Sequence, residues 1–212
     1  MKHNKFIWLL IVLSLIGTAI LFPSLPEQIP SHWGINGETD DYSSKYMIFM
    51  TAALPAGIYL LMLYSPKLDP KRENYKKHSK AYSIMSVSIV LTLMTVHWLT
   101  VLASFNIIKS VDVFIKLIIG ILFVVMGNYM SQLRLNYLTG IKLPWTLASE
   151  KVWKKTHRIG GMGFMLVGIV LICTSFIKGA FSFILFMVSL AVFMIFISVY
   201  AYLEYQKELK SK

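Results

Sequence analysis

Apolar runs of membrane-crossing length alternate with short polar stretches along this 212-residue chain. A helix needs about 20 mostly apolar residues to cross the hydrocarbon core. Six stretches approach that length: Phe6–Phe22, Tyr46–Tyr64, Tyr82–Phe105, Val113–Asn128, Gly161–Ile177 and Phe181–Leu203. The pattern predicts an all-α polytopic membrane protein built as a bundle of six transmembrane helices. Lys2 and Lys5 flank the first run as they would flank a signal peptide. Pro23-Ser24-Leu25-Pro26 offers no small-residue cleavage site, so this run reads as an uncleaved first helix. Pro55 and Gly57 predict a kink in the second. Spans three and four, and five and six, read as hairpins with short turns near Ile107–Asp112 and Lys178–Gly179. No internal repeat is visible.

The polar interruptions divide the chain. Residues 1–65 form a two-span module around a loop at 23–45. Residues 66–81 form a basic connector, and residues 82–212 a four-span module broken by a long segment at 127–161. In the first loop Pro23, Pro26 and Pro30 forbid a regular helix and Asn36-Gly37 signals a turn, so an ordered cap is expected there. The connector, SPKLDPKRENYKKHSK, reads as a solvated linker lying against anionic lipid.

Charge sets the expected orientation. Only 15% of residues are charged, against about 25% in soluble domains. With the N-terminus inside, seventeen Lys and Arg fall on the cytoplasmic side, and only Lys45, Lys109 and Lys178 fall outside. The positive-inside rule then makes both termini cytoplasmic. The net charge of +11 is thereby explained by topology and an anionic inner leaflet, and no direct nucleic-acid contact is expected. The single cysteine, Cys173, falls in span five and reads as a buried apolar filler.

Chemistry is sparse. No Asp or Glu lies deep in any span, which counts against a proton-coupled pump. Lys116 is near the outer end of span four, within snorkelling distance of the interface. His97 lies deeper, in span three; it is either functional or bonded to a neighbouring helix. Glu27, His32, Glu38, Asp40 and Asp41 match no standard metal spacing, nothing pairs a nucleophile with a base, and no P-loop or zinc-protease motif is present. No cofactor and no enzymatic activity are expected.

The segment at 127–161 is chemically the richest. Gly140 breaks it and Pro144 sets an extended stretch, a Pro-Trp arm. Ser149 is a candidate N-cap and Glu150 suits a first helical turn. Lys151, Lys154, Lys155 and Arg158 follow at helical spacing on one face, with Val152, Thr156 and Ile159 on another beside Trp153. An amphipathic helix lying in the cytoplasmic interface between spans four and five is expected. It either anchors span five or folds back to present a docking surface.

Gly127-Asn128, Arg134, Asn136, Gly140-Ile141-Lys142, Pro144-Trp145-Thr146-Leu147, Glu150, Val152-Trp153 and Thr156-His157-Arg158 together resemble the signature of the SdpI family. The one departure is Leu143, where a Thr is expected. Leu25-Pro26-Glu27, Ile29-Pro30 and His32-Trp33 resemble the N-terminal module often found with that family, so the likeness covers nearly the whole chain. The resemblance implies a six-span bacterial membrane protein. It implies immunity against a secreted peptide toxin and signalling by sequestration of a small cytoplasmic repressor. The site residues it suggests are Asn128, Arg134, Asn136, Gly140, Pro144, Trp145, Thr146, Glu150, Trp153, Thr156, His157 and Arg158 for the repressor. For the toxin they are Glu27, Pro30, His32 and Trp33; His97 and Lys116 are candidates from their position alone, as intramembrane polar groups. The competing readings are a transporter or channel for a small or lipophilic molecule and an integral-membrane enzyme.

Overall fold

The computed structural model describes residues 4–35, 37–177 and 179–211; Lys2, Asn36, Lys178 and Lys212 lie outside the described residues. Six long helices are present: α1 Lys5–Leu21, α2 Met47–Leu68, α4 Ser79–Ser104, α5 Asp112–Met130, α7 Glu150–Cys173 and α8 Ala180–Lys210. All six are long and apolar enough to cross a membrane. A helix is the stable form for such sequences in hydrocarbon because it satisfies its own backbone N–H and C=O groups. Two short helices, α3 Asn74–Lys77 and α6 Pro144–Ala148, lie between the spans.

The spans form two groups of three. α1, α2 and α4 make one group and α5, α7 and α8 the other, with α4 against α5 as the main helix contact between them. Polar cross-links run through the first group. The Trp98 indole N–H donates to Ser14 Oγ at 2.9 Å, and the buried His97 ring lies 2.9 Å from both Thr18 Oγ1 and Thr51 Oγ1. His97 therefore bonds α4 to α1 and α2 through both ring nitrogens. In the second group α5 and α7 meet through glycine. Gly127 faces Gly161 and Gly120 faces Gly168, each pair seven residues from the other along antiparallel helices. A Cβ at Gly161 would lie 2.5 Å from the Gly127 carbonyl oxygen, and one at Gly168 2.6 Å from that of Gly120. Small residues let backbones approach this closely, which is how helices associate where lipid removes the hydrophobic gain.

The all-α expectation is corrected between α1 and α2. There β1 Gln28–Trp33 pairs antiparallel with β2 Thr39–Ser44. The register slips between Pro30 and His32, where proline cannot donate to the ladder. Leu25 and Ile29 bury against Ile48 and Val101, seating the hairpin on the ends of α2 and α4. At its tip the Gly37 carbonyl accepts from Val111 N–H at 3.2 Å, reaching the start of α5. This end of the molecule also holds the 105–111 turn. The opposite end holds the connector, the 131–149 segment and the C-terminal turns of α8.

α2 is one continuous helix with Pro55 and Pro66 inside it. Other expectations change. The fifth span begins at Glu150 rather than Gly161: the predicted interfacial helix is the first three turns of α7 itself, capped by Ser149, whose Oγ accepts from Val152 N–H at 3.2 Å. The Pro-Trp arm is not extended. Leu143 is extended, but Pro144 occupies the first turn of α6, where its missing N–H costs nothing. Cys173 ends α7 and is exposed.

Gly161→Ala should lower stability by about 1–3 kcal/mol, because the added methyl meets backbone that cannot move aside. Gly57→Ala, with nothing within 4 Å of the added carbon, should cost nothing. Thermal unfolding of both variants in detergent checks the pair.

Candidate functional site

The signature segment folds back onto the bundle as a bonded knot. Trp153 and His157, one turn apart on α7, stack with ring centroids 3.9 Å apart. The Trp153 indole N–H donates to the Leu133 carbonyl at 2.9 Å. His157 Nε2 accepts the Ile141 N–H at 3.0 Å, so its proton sits on Nδ1, which donates to the Trp153 carbonyl at 2.8 Å. Gly140 has φ of 111°, and a Cβ there would lie 2.3 Å from His157 Nε2, so the chain can pass this ring only as glycine. Asn136 Oδ1 accepts from Leu138 N–H at 3.0 Å and Thr139 N–H at 2.7 Å, while its amide donates to the Arg134 carbonyl at 2.9 Å. The Thr146 hydroxyl accepts from Leu143 N–H at 2.9 Å and lies 2.8 Å from the Ile141 carbonyl. Trp145 packs edge-on against Tyr202, and the Ser149 hydroxyl donates to Glu208 at 2.5 Å, so α8 closes the other side. Nearby, Glu204 pairs with both Lys155 and Lys207.

The connector completes this knot, which corrects its reading as a solvated linker. Asp69, Tyr75 and His78 are buried. Asp69 accepts from Lys71 N–H at 2.7 Å, Tyr75 O–H at 2.9 Å and Tyr137 N–H at 2.8 Å. Asn74 donates to the Leu135 carbonyl at 2.7 Å, and His78 Nδ1 accepts the Arg134 N–H at 3.1 Å. Burial raises the Tyr75 pKa and keeps its hydroxyl a donor. The available signal for these residues was the presence of Asp69, Tyr75 and His78 in a stretch that lipid contact alone would fill with Lys.

Exposure then divides the predicted partner residues. Asn136, Thr146, Trp153, Thr156 and His157 are each 0% exposed, so they build the knot and no partner can touch them. Trp145 and Gly140 are half-buried. Asn128, Arg134, Pro144, Glu150 and Arg158 are exposed. Lys151, Lys154, Lys155 and Arg158 all point outward from α7, as their spacing predicts.

At the hairpin end a cleft of about 790 Å³ lies between the two groups of helices. The hairpin roofs it with His32, Trp33 and Asp40, and its walls are apolar, with Val96, Ile115, Ile119, Leu171, Phe183 and Phe186. His32 Nδ1 lies 2.6 Å from Asp40 at the mouth. Lys116 reaches back up α5 to Asp112 at 2.6 Å and the Ile177 carbonyl at 3.2 Å, so its charge is paired inside the cleft and does not snorkel to water. Of the four predicted toxin-facing residues, His32 and Trp33 line this cleft. Pro30 is buried in the hairpin seat, and Glu27 is an exposed partner of Lys45 at 2.8 Å. Among the described residues no cluster of three or more His, Cys, Asp or Glu is placed to hold a metal.

His78 gives the knot a pH dependence. Burial first, then the Arg134 charge, push its pKa from 6.5 to about 4 against the pull of Asp69. The unfolded chain takes up this proton near pH 6.5 and the folded chain only near 4. The stability it contributes is full above 6.5 and is lost as pH falls through that window. The melting temperature of the wild type should therefore drop between pH 6.5 and 4 more steeply than that of His78→Gln, whose amide oxygen can still accept the Arg134 N–H.

Residues 132–201 match the SdpI/YfhL protein family, and residues 9–54 match a domain of unknown function, DUF1648. Immunity protein SdpI of Bacillus subtilis (strain 168) is 30% identical over 210 residues, covering 99% of this chain and 98% of that one. No solved structure matches the chain. Six membrane-competent helices and near end-to-end likeness make this a multi-pass protein of the bacterial cell membrane, and the chain belongs to the SdpI family.

Proposed function

We propose that this protein confers immunity to a secreted peptide toxin and passes the toxin's presence to a cytoplasmic repressor. The observation that carries the reading is the hairpin-roofed apolar cleft in a chain similar throughout to an immunity protein. The Lys and Arg asymmetry supports an orientation with the hairpin outside and the knot in the cytoplasm. A membrane-active peptide has apolar side chains to bury, and the cleft offers aromatic and branched walls beneath a polar mouth. Glu27, Glu38, Asp40 and Asp41 give the hairpin an acidic rim.

The same cleft separates the two helix groups, so an occupant favours whichever arrangement of α4 and α5 leaves it open. The far ends of those helices carry His78 and Leu133, which join the connector to the knot. The repressor then reads the outer face of the knot, where Lys142, Pro144, Lys151 and Arg158 are exposed. The buried residues transmit by holding that face in shape.

Expression in a toxin-sensitive strain tests each part separately. The wild type should protect, and absence of protection by an inserted wild type removes the immunity reading. Ile115→Trp, which fills the cleft, should lose protection at unchanged membrane abundance; full protection would exclude the cleft. Lys142→Glu with Arg158→Glu should keep protection yet leave a fluorescent repressor in the cytosol. Normal recruitment would exclude that face.

A further inference from the structure

The knot contains a second cavity, of about 270 Å³, where three separate segments meet. Lys77 comes from the connector, Arg134 from the segment after α5, and Lys154 from the second turn of α7, with Glu150 completing the rim and the buried Trp153 beneath it. None of the three cations has an ion-pair partner among the described residues. Their neighbours differ: Lys155 and Lys207 are both held by Glu204. Glu150 also lines the cavity without an ion pair, so three positive charges face one negative one.

The cations are not free to spread apart at the backbone. Asn74 is bonded to the Leu135 carbonyl, the Arg134 N–H to His78, and Trp153 to the Leu133 carbonyl. The fold thus uses buried hydrogen bonds to bring like charges from three segments to one place. Such convergence is unfavourable alone and favourable around an anion. The guanidinium fork and two ammonium groups suit phosphate oxygens. All three residues lie at the ends of spans, just before α4, just after α5 and at the start of α7, which is the depth of lipid headgroups.

We infer that this cavity binds a phosphate-bearing anion, its favoured source being the phosphodiester headgroup of an acidic membrane lipid. The site is distinct from the hairpin cleft and does not depend on the immunity reading. In this arrangement a lipid of the adjoining leaflet becomes a structural member of the knot. The exposed face that carries Lys142 and Pro144 is then held partly by the membrane itself.

Native mass spectrometry of the full-length protein, released from micelles containing phosphatidylglycerol or phosphatidylcholine, reads the site directly. The wild type should retain phosphatidylglycerol in preference. Arg134→Gln with Lys154→Gln should retain on the order of tenfold less, while Glu150→Gln, which removes the opposing charge, should retain more. Lys80→Gln, exposed and outside the cavity, should match the wild type. In a parallel arm, inorganic phosphate is added without lipid. If it raises the melting temperature in an Arg134-dependent way and phosphatidylglycerol is not retained, the anion is free phosphate and the site stands. Equal retention by the double variant and the wild type, with no phosphate effect, overturns the site and leaves the cations as a protein-docking surface. A loss in Lys80→Gln as large as in the double variant also overturns it, since that is nonspecific attraction to charge.

Discussion

The close approach of α5 and α7 is the constraint on which the rest of the structure depends. Two glycine pairs let these helices touch backbone to backbone, and lipid offers no hydrophobic reward that could substitute for this contact. Because the helices are antiparallel, the contact also brings Met130 and Glu150 to the same end of the bundle. The chain between them must fold within that space. It does so by wrapping Trp153 and His157, which α7 presents inward on the face it shares with Gly160 and Gly161. The glycines of the span and the aromatic residues of the loop are therefore parts of one packing arrangement.

Most polar groups in this knot are bonded for a related reason, the exceptions among the described residues being His78 Nε2, Trp145 Nε1 and Thr156 Oγ1. The knot sits where apolar helix ends meet a folded loop, so its carbonyls and N–H groups are withdrawn from water, and an unmade hydrogen bond there costs about 1–3 kcal/mol. Asp69, His78 and His157 each take up a backbone N–H from a segment distant in sequence, while Asn136 ties the turn around itself from Arg134 to Thr139. Such networks are worth most when complete. This accounts for part of the chemical variety of the signature: Asn136, Thr146, Trp153 and His157 each answer a donor or acceptor left by an irregular backbone. The variety that suggests a binding surface in the sequence is in large part the inside of a fold.

Legibility in the sequence followed from how local each cause is. Apolar periodicity located the six spans, and the Ser149 cap and the outward basic face of α7 were readable from spacing over a single turn or two. The hairpin was not readable, because Pro23, Pro26, Pro30, Gly34 and Gly37 announce only that helix is forbidden, and pairing depends on a seat made by Ile48 and Val101 far along the chain. The start of the fifth span was misjudged because Lys151, Lys154, Lys155 and Arg158 mask an apolar face in any running average; the helix is continuous since only one side of it needs to be dry. The burial of Asn136, Thr146, Thr156 and His157 depends on partners in the connector and α7 that no spacing rule connects. At the hairpin end, His32 and Trp33 stand out in the sequence and the cleft they roof does not, since its walls come from four different helices.

The two ends of the molecule are joined by few elements. α4 is a 26-residue helix, about 39 Å long at 1.5 Å per residue. Near one end it carries Trp98 and Val101 under the hairpin, and at the other it begins beside His78, which holds the Arg134 backbone. α5 opens with Asp112 and Lys116 in the cleft and ends three residues before Leu133, the acceptor of the Trp153 indole. The line along which the two helix groups meet therefore begins in the cleft and finishes in the knot. Packed helices of this kind shift as units rather than deform continuously. A rigid translation of α4 against α5 along their whole length would change both the width of the cleft and the spacing of His78 and Leu133, to which the knot is bonded at 3.1 and 2.9 Å. Those bonds tolerate only tenths of an ångström before they weaken. The knot is therefore tied, through the His78 and Leu133 bonds, to the ends of the same two helices that wall the cleft.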